Sequence, residues 1–145
     1  MSNLGNLTVK PVEGKFYKNY DWFGKMDPYV VIQLGSQVKR SATHWKGGKH
    51  PRWTDTIHFR RRDETELRVE SWDADRSSAD DRIGEGTLPL TAALNSGYWT
   101  GKVDIVKRNK KRGEVTLEIL WEPDNRPLSQ PTYSFSRPKS SAHTM

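Results

Sequence analysis

Apolar residues recur at every second position along much of this chain. Leu7 and Val9 alternate with polar neighbours, as do Val30, Ile32 and Leu34, then Ile57 and Phe59, Leu67 and Val69, Leu88 and Leu90, and Val115, Leu117 and Ile119. A period of two belongs to a strand with one buried face. Between the runs lie clusters such as "LGSQ", "KGGKHP" and "NSG", whose Gly, Pro and Asn residues favour turns. The pattern predicts eight strands, near 5–13, 28–35, 37–45, 53–61, 65–73, 83–90, 98–107 and 113–121, with one helical turn at "TAAL", residues 91–94. Short strands at regular spacing with turn signals predict an all-β antiparallel sandwich. After Trp121 the alternation stops, and a Pro/Ser-rich stretch without periodicity predicts a disordered tail.

Composition adds bounds. A chain of 145 residues builds one core rather than two. Six tryptophans, five tyrosines and four phenylalanines supply bulky interior material although only 33% of residues are hydrophobic. The absence of cysteine excludes disulfides, thiolate metal sites and a cysteine nucleophile, and fits a reducing compartment. "MSNLGNLTVK" lacks the blocks of a signal peptide, and the longest aliphatic and aromatic run, Tyr29 to Ile32, is four residues. A soluble, cytoplasmic, monomeric protein is the expectation. The four histidines make no HExxH pattern, and no phosphate loop or nucleophile elbow is present, so the chain reads as a non-enzyme.

Charge is uneven. The net charge is +6, with eight Lys/Arg against one acid over residues 36–62, but nine acids against three arginines over residues 63–87. A basic surface suits a phosphate-bearing partner, nucleic acid or anionic lipid. The acidic block includes "SWDADRSSADDRIG", where Asp73, Asp75, Asp80 and Asp81 fall within nine positions. Continuing the alternation of Leu67 and Val69 sends Asp73 and Asp75 to the same side where the strand enters its loop. Paired carboxylates facing a third across a short loop make an oxygen cage for a hard cation such as Ca²⁺, which takes 6–8 oxygens. An EF-hand is excluded, because Ser78 stands where that loop needs Gly and Gly84 where it needs Glu. A second wall is offered by Asp21 and Asp27 around a Gly-containing loop.

Three stretches, "DWFGKMDPYVVIQLG", "KHPRWTDTIHF" and "LRVESWDADRSSADDRIGEGTLPL", resemble the signature segments of the C2 domain, a calcium-dependent phospholipid-binding module, and the chain is similar to its small stand-alone form in plants and fungi. The resemblance spans about residues 4–121 and implies an eight-stranded Greek-key sandwich with phospholipase C-like strand order. It divides the chain into a C2-like domain, 1–122, and a basic Pro/Ser-rich tail, 123–145. It further implies that two or three Ca²⁺ ions are held by Asp21, Asp27, Asp73, Asp75 and Asp81, with carbonyls of Tyr20 and Ala74, while Asp80 is a solvated loop residue. Val31 and Gln33 stand where phosphoinositide-reading members carry lysines.

If strands alternate in direction, connections 1–2, 3–4, 5–6 and 7–8 share one end. That parity sets basic residues around the acidic cage: Lys46 and Lys49 in the second loop, and Lys107, Arg108, Lys110, Lys111 and Arg112 in the fourth. Trp22 and Phe23 at the first loop's tip suit a bilayer interface, whereas Tyr29 and Trp53 are expected in the core. The function expected is calcium-dependent recruitment to anionic phospholipid membranes, with a protein partner for the tail and no nucleic acid. The alternative is a calcium-independent protein adaptor.

Overall fold

The computed structural model describes residues 4–18, 24–125 and 133–135. The elements run β1 (Gly5–Phe16), β2 (Pro28–Leu34), β3 (Gln37–Arg40), β4 (Ile57–Arg61), β5 (Glu66–Asp73), β6 (Asp81–Pro89), α1 (Thr91–Ser96), β7 (Tyr98–Lys107) and β8 (Lys110–Pro123). All strand pairings are antiparallel, in the order β3-β2-β5-β6-β7-β8-β1-β4. A single residue pair, Glu85 with Val106, links β6 to β7. The ladder therefore folds into two four-stranded layers, β3-β2-β5-β6 against β7-β8-β1-β4. Gly84 and Gly86 let the layers meet there: a Cβ at Gly86 would lie 2.1 Å from the Asp104 carbonyl oxygen. The last strand lies between β7 and β1, the permuted order expected.

The alternating apolar positions form the core between the layers. Leu7, Val9, Val30, Ile32, Leu34, Phe59, Leu67, Val69, Ile105, Val115, Leu117 and Ile119 are buried together. Twelve such side chains, at about 1.5–3 kcal/mol each for complete burial, are the main favourable term holding the layers together. The helical turn runs two residues past its expected end and stops where Gly97 turns left-handed (φ 88) and donates its N–H to the Ala93 carbonyl at 2.8 Å. No helix among the described residues is long and apolar enough to cross a membrane.

Several boundaries differ from the sequence expectation, each for a local reason. β3 stops at Arg40 rather than 45, because the Ser41 hydroxyl takes the N–H of Val30 at 3.0 Å in place of a ladder bond. β4 starts at Ile57 rather than 53. Residues 49–53 instead run irregularly beside β1, with the Gly14 N–H on the Pro51 carbonyl at 2.9 Å and the Trp53 N–H on Val12 at 3.1 Å; Pro51 itself has no N–H to donate. β8 begins at Lys110, not 113, so "KRNKKR" is largely strand around a two-residue turn. At its other end β8 reaches Pro123, one residue into the stretch assigned to the tail. Asp124 then pairs with Arg60 at 2.8 Å and its N–H bonds the Leu4 carbonyl at 3.0 Å. Farther along the tail, Tyr133 lies beside Gly97 and Phe135 beneath the Lys10 ammonium.

Candidate functional site

All four odd-to-even connections meet at one end of the sandwich, as antiparallel parity requires. The Gly48 N–H donates to Met26 at 3.0 Å and the Ala74 N–H to Asp27 at 2.9 Å, which ties the second and third connections to the first. The fourth joins through the Tyr17 N–H on the Arg112 carbonyl at 3.0 Å and the Lys107 ammonium on the Arg82 carbonyl at 2.9 Å.

The described carboxylates are organised around the first and third connections. Asp73, the last residue of β5, is buried and its Oδ1 accepts the N–H of Asp27 at 2.8 Å. Asp27 in turn accepts the N–H of Lys46 at 2.6 Å, and Lys46 adopts a left-handed conformation (φ 61) to deliver it. Non-glycine residues in that region cost energy and concentrate at functional sites. Asp81 is the register partner of Asp73 across β5 and β6, so two carboxylates stand directly opposite each other, a destabilising arrangement for like charges. Asp75 lies beyond the strand end, exposed, and folds back on its own loop. Its Oδ1 accepts the Ser77 N–H at 2.8 Å and its Oδ2 the Ser78 hydroxyl at 2.8 Å; the Ser77 amide and these hydroxyls hold its carboxyl below the usual carboxylate range. Among the described residues no group of three or more acids or histidines is gathered closely enough to hold an ion. Tyr20, Asp21, Trp22 and Phe23 lie outside the described residues.

One expectation is corrected here and another refined. Asp80 is not a free solvated acid: it accepts the Tyr29 hydroxyl at 2.6 Å and the Asp75 N–H at 2.9 Å, and so clasps the third connection to β2. The Tyr29 hydrogen bond holds the Asp80 carboxyl below its ordinary range, while burial and Asp80 push the Tyr29 phenol up to about 12. Tyr29 is buried, as expected, but lies outside the main hydrophobic cluster. It sits on the outer face of its layer, with the Arg40 guanidinium 3.5 Å from its ring centre and Trp72 stacked at 6.4 Å. Trp53 does lie in the core, its indole N–H on the Pro28 carbonyl at 3.1 Å.

Farther along the same outer face, Arg68 and Arg82 are interleaved with Glu70 and Glu85. Arg68 pairs with Glu70 at 3.1 Å and with Glu85, and Arg82 pairs with Glu85 at 2.8 Å and Glu70 at 3.5 Å. The face is a closed charge network.

At the loop end the cations are more open. Lys46, Lys49, Arg108 and Lys110 are exposed and Lys107 and Arg112 partly covered. Lys111 differs: its ammonium bonds Asp104 at 3.1 Å and Glu114 at 3.4 Å along the side of the hairpin, and Asp104 foremost holds its pKa well above the ordinary lysine value. Sequence reasoning missed Trp45. It is 44% exposed at this end, with the Arg76 guanidinium 4.0 Å from its ring centre. Trp45 and Arg76 border an open cleft of about 710 Å³ that Asp27, Lys46, Asp75 and Ser77 complete. Its signal was a tryptophan in a Gly-rich loop beside Lys46, visible in "HWKGGKHP" but without the strand alternation that marks core.

The C2 domain family profile matches residues 5–117. The chain belongs to the C2 domain family. Elicitor-responsive protein 3 of Oryza sativa subsp. japonica is 32% identical over 123 residues, covering 83% of this chain and 85% of that protein. The 16 kDa phloem protein 1 of Arabidopsis thaliana is 34% identical over 108 residues, covering 70% of this chain and 69% of that protein. Among solved structures, a C2 domain-containing protein from an elicitor-responsive gene superposes with a TM-score of 0.74 at 28% identity, over 88% of this chain and 96% of the other. A C2 domain of plant extended synaptotagmin 1 shares the fold, with a TM-score of 0.73 at 23% identity over 84% of this chain and 97% of the other.

Proposed function

We propose that this C2 domain binds anionic phospholipid membranes when calcium is present, through the four connections at one end of the sandwich. The observation that carries the reading is the opposition of Asp73 and Asp81 across two paired strands, with Asp27 bonded to the buried Asp73. Like charges so placed are costly unless a cation shares them. Synaptotagmin-4 of Arabidopsis thaliana, 29% identical over 83% of this chain, supports the membrane assignment in general.

The donors suit Ca²⁺, being all oxygen and mostly carboxylate, whereas a strict octahedron for Mg²⁺ is harder to build from flexible loops. Asp27, Asp73, Asp75 and Asp81 would hold it, completed by Asp21 and by the carbonyls of Tyr20 and Ala74. Asp75 would first exchange its serine partners for metal, so affinity for calcium without lipid should be modest. Bound calcium supplies positive charge that links these carboxylates to lipid phosphate. The protein's own part is to neutralise and anchor. Lys46, Lys49 and the exposed cations of the β7–β8 hairpin each add on the order of 1 kcal/mol at an anionic surface. Trp45, joined by Trp22 and Phe23, enters the interfacial layer where amphipathic aromatics settle.

Sedimentation with phosphatidylserine vesicles, in calcium and in chelator, tests this reading. Binding should need calcium, and calorimetry should find heat on adding calcium alone. Equal sedimentation in chelator would overturn the calcium dependence, and no sedimentation in either condition would favour a protein adaptor.

A further inference from the structure

The turn joining β7 to β8 builds a second feature beside the aspartates. Arg108 (φ 53) and Asn109 (φ 64) are both left-handed, the two-residue turn whose twist matches that of paired strands. The basic residues flanking it are thus carried on a short, ordered ribbon. Lys107, Arg108 and Arg112 line a cleft of about 240 Å³ together with Asp73 and Asp81, and Arg82 and Ile83 complete it. The Arg82 guanidinium is directed to Glu70 and Glu85, leaving its main chain at the cleft, where its carbonyl anchors the Lys107 ammonium at 2.9 Å. The hairpin's acids, Asp104 and Glu114, pair with Lys111 and Lys102. Among the described residues no carboxylate forms an ion pair with Lys107 or Arg108, and the Lys107 ammonium has only the Arg82 carbonyl as its acceptor.

We propose that this cleft receives the phosphomonoester group of a membrane lipid headgroup. Its volume is below the roughly 300–1,000 Å³ of sites for larger organic ligands and leaves room for a phosphoryl group. Lys107 of β7, Arg108 of the turn and Arg112 of β8 all line it. A phosphomonoester brings about −1.5 to −2 charge and three strong acceptor oxygens, enough for all three, whereas a phosphodiester brings one charge and fewer free oxygens. The cleft opens at the end that the calcium reading places against the membrane, and the proposal rests on that reading for its coupling. Asp73 and Asp81 repel phosphate until a cation offsets them, so calcium and the phosphomonoester each raise the affinity for the other by the same factor.

The test uses the full chain and phosphatidylcholine vesicles containing either phosphatidic acid or, at matched surface charge, phosphatidylserine, in calcium. Arg108→Gln/Arg112→Gln should lose about 30-fold in affinity for phosphatidic acid vesicles, and about fivefold for phosphatidylserine, where exposed Arg108 still contributes the general attraction of one cation to an anionic surface. Lys111→Gln removes a charge from the same hairpin outside the cleft and should lose less than about threefold on both. If Arg112 proves necessary for folding, Arg108→Gln alone, at an exposed position, should still lose about three- to tenfold on phosphatidic acid. Equal losses on the two lipids, or a loss by Lys111→Gln as large as that of the double variant, would overturn the cleft as a site. Displacement of the protein from phosphatidic acid vesicles by millimolar glycerol 3-phosphate supports a phosphomonoester site. Tight binding of glycerol 3-phosphate without vesicle binding would overturn the lipid source. Lipid-free calcium calorimetry separates the two readings. If the natural chain takes up no calcium, the calcium assignment fails, while a selective loss on phosphatidic acid in chelator still supports the cleft.

Discussion

The outer face of β3-β2-β5-β6 and the loop end are both rich in charge and use it in opposite ways. On the face, Arg68, Arg82, Glu70 and Glu85 are paired with one another, Trp72 donates to Glu70 at 3.1 Å, and Arg40 covers Tyr29. At the loop end Asp73 and Asp81 face each other, and Lys46, Lys49, Arg108 and Lys110 stand in the open. A network whose charges pair with one another has little left to offer a ligand, whereas exposed cations without a carboxylate partner keep their charge for one. Charge content alone therefore does not distinguish the two regions; the pairing does.

The comparison breaks most sharply at the carboxylates. Asp27→Asn combined with Asp75→Asn should weaken calcium binding by ~100-fold in calorimetry, since charge count and oxygen donors set such affinities. The melting temperature in chelator should move little. A large drop there would mean that these acids are as structural as those on the face. Trp45→Ala should weaken vesicle binding by about tenfold, and the loss should persist at high salt because it comes from apolar burial. If the loss disappears with salt, Arg76 rather than the indole is the contact.

Glu70→Gln tests the other side of the contrast. Urea unfolding should show a loss of about 1–2 kcal/mol, since two arginines and an indole lose a charged acceptor, while vesicle binding stays within about twofold. Reduced vesicle binding without destabilisation would make the face a binding surface. Smallest is Tyr29→Phe, which releases Asp80 from β2. A cost of about 1 kcal/mol in stability is expected, with a matching rise in hydrogen exchange confined to residues 74–80.

Much of this was legible because it follows from short periods. Leu67 and Val69 face inward for the same reason Leu117 and Ile119 do, and eight alternating strands oblige the β1–β2, β3–β4, β5–β6 and β7–β8 connections to share an end. The four aspartates of residues 73–81 were conspicuous as a run of like charge. Their separate roles were not, because those depend on partners far away in sequence. Tyr29 reaches Asp80 across 51 positions, and Asp27 reaches Asp73 across 46.

The sequence by itself determined the all-β sandwich, its core and the end at which its acidic and basic loops gather, since side-chain alternation and turn chemistry act over a few residues. Only the tertiary structure decided which charges are already paired. It set Tyr29 on the outer face under Arg40, gave Asp80 a clasp, placed Arg76 over Trp45, and sent Lys111 to Asp104 while leaving Arg108 beside Asp73 and Asp81. Hydrogen bonds and ion pairs act over only a few ångströms, so they are settled by which strands lie next to each other, and no local pattern along the chain records that.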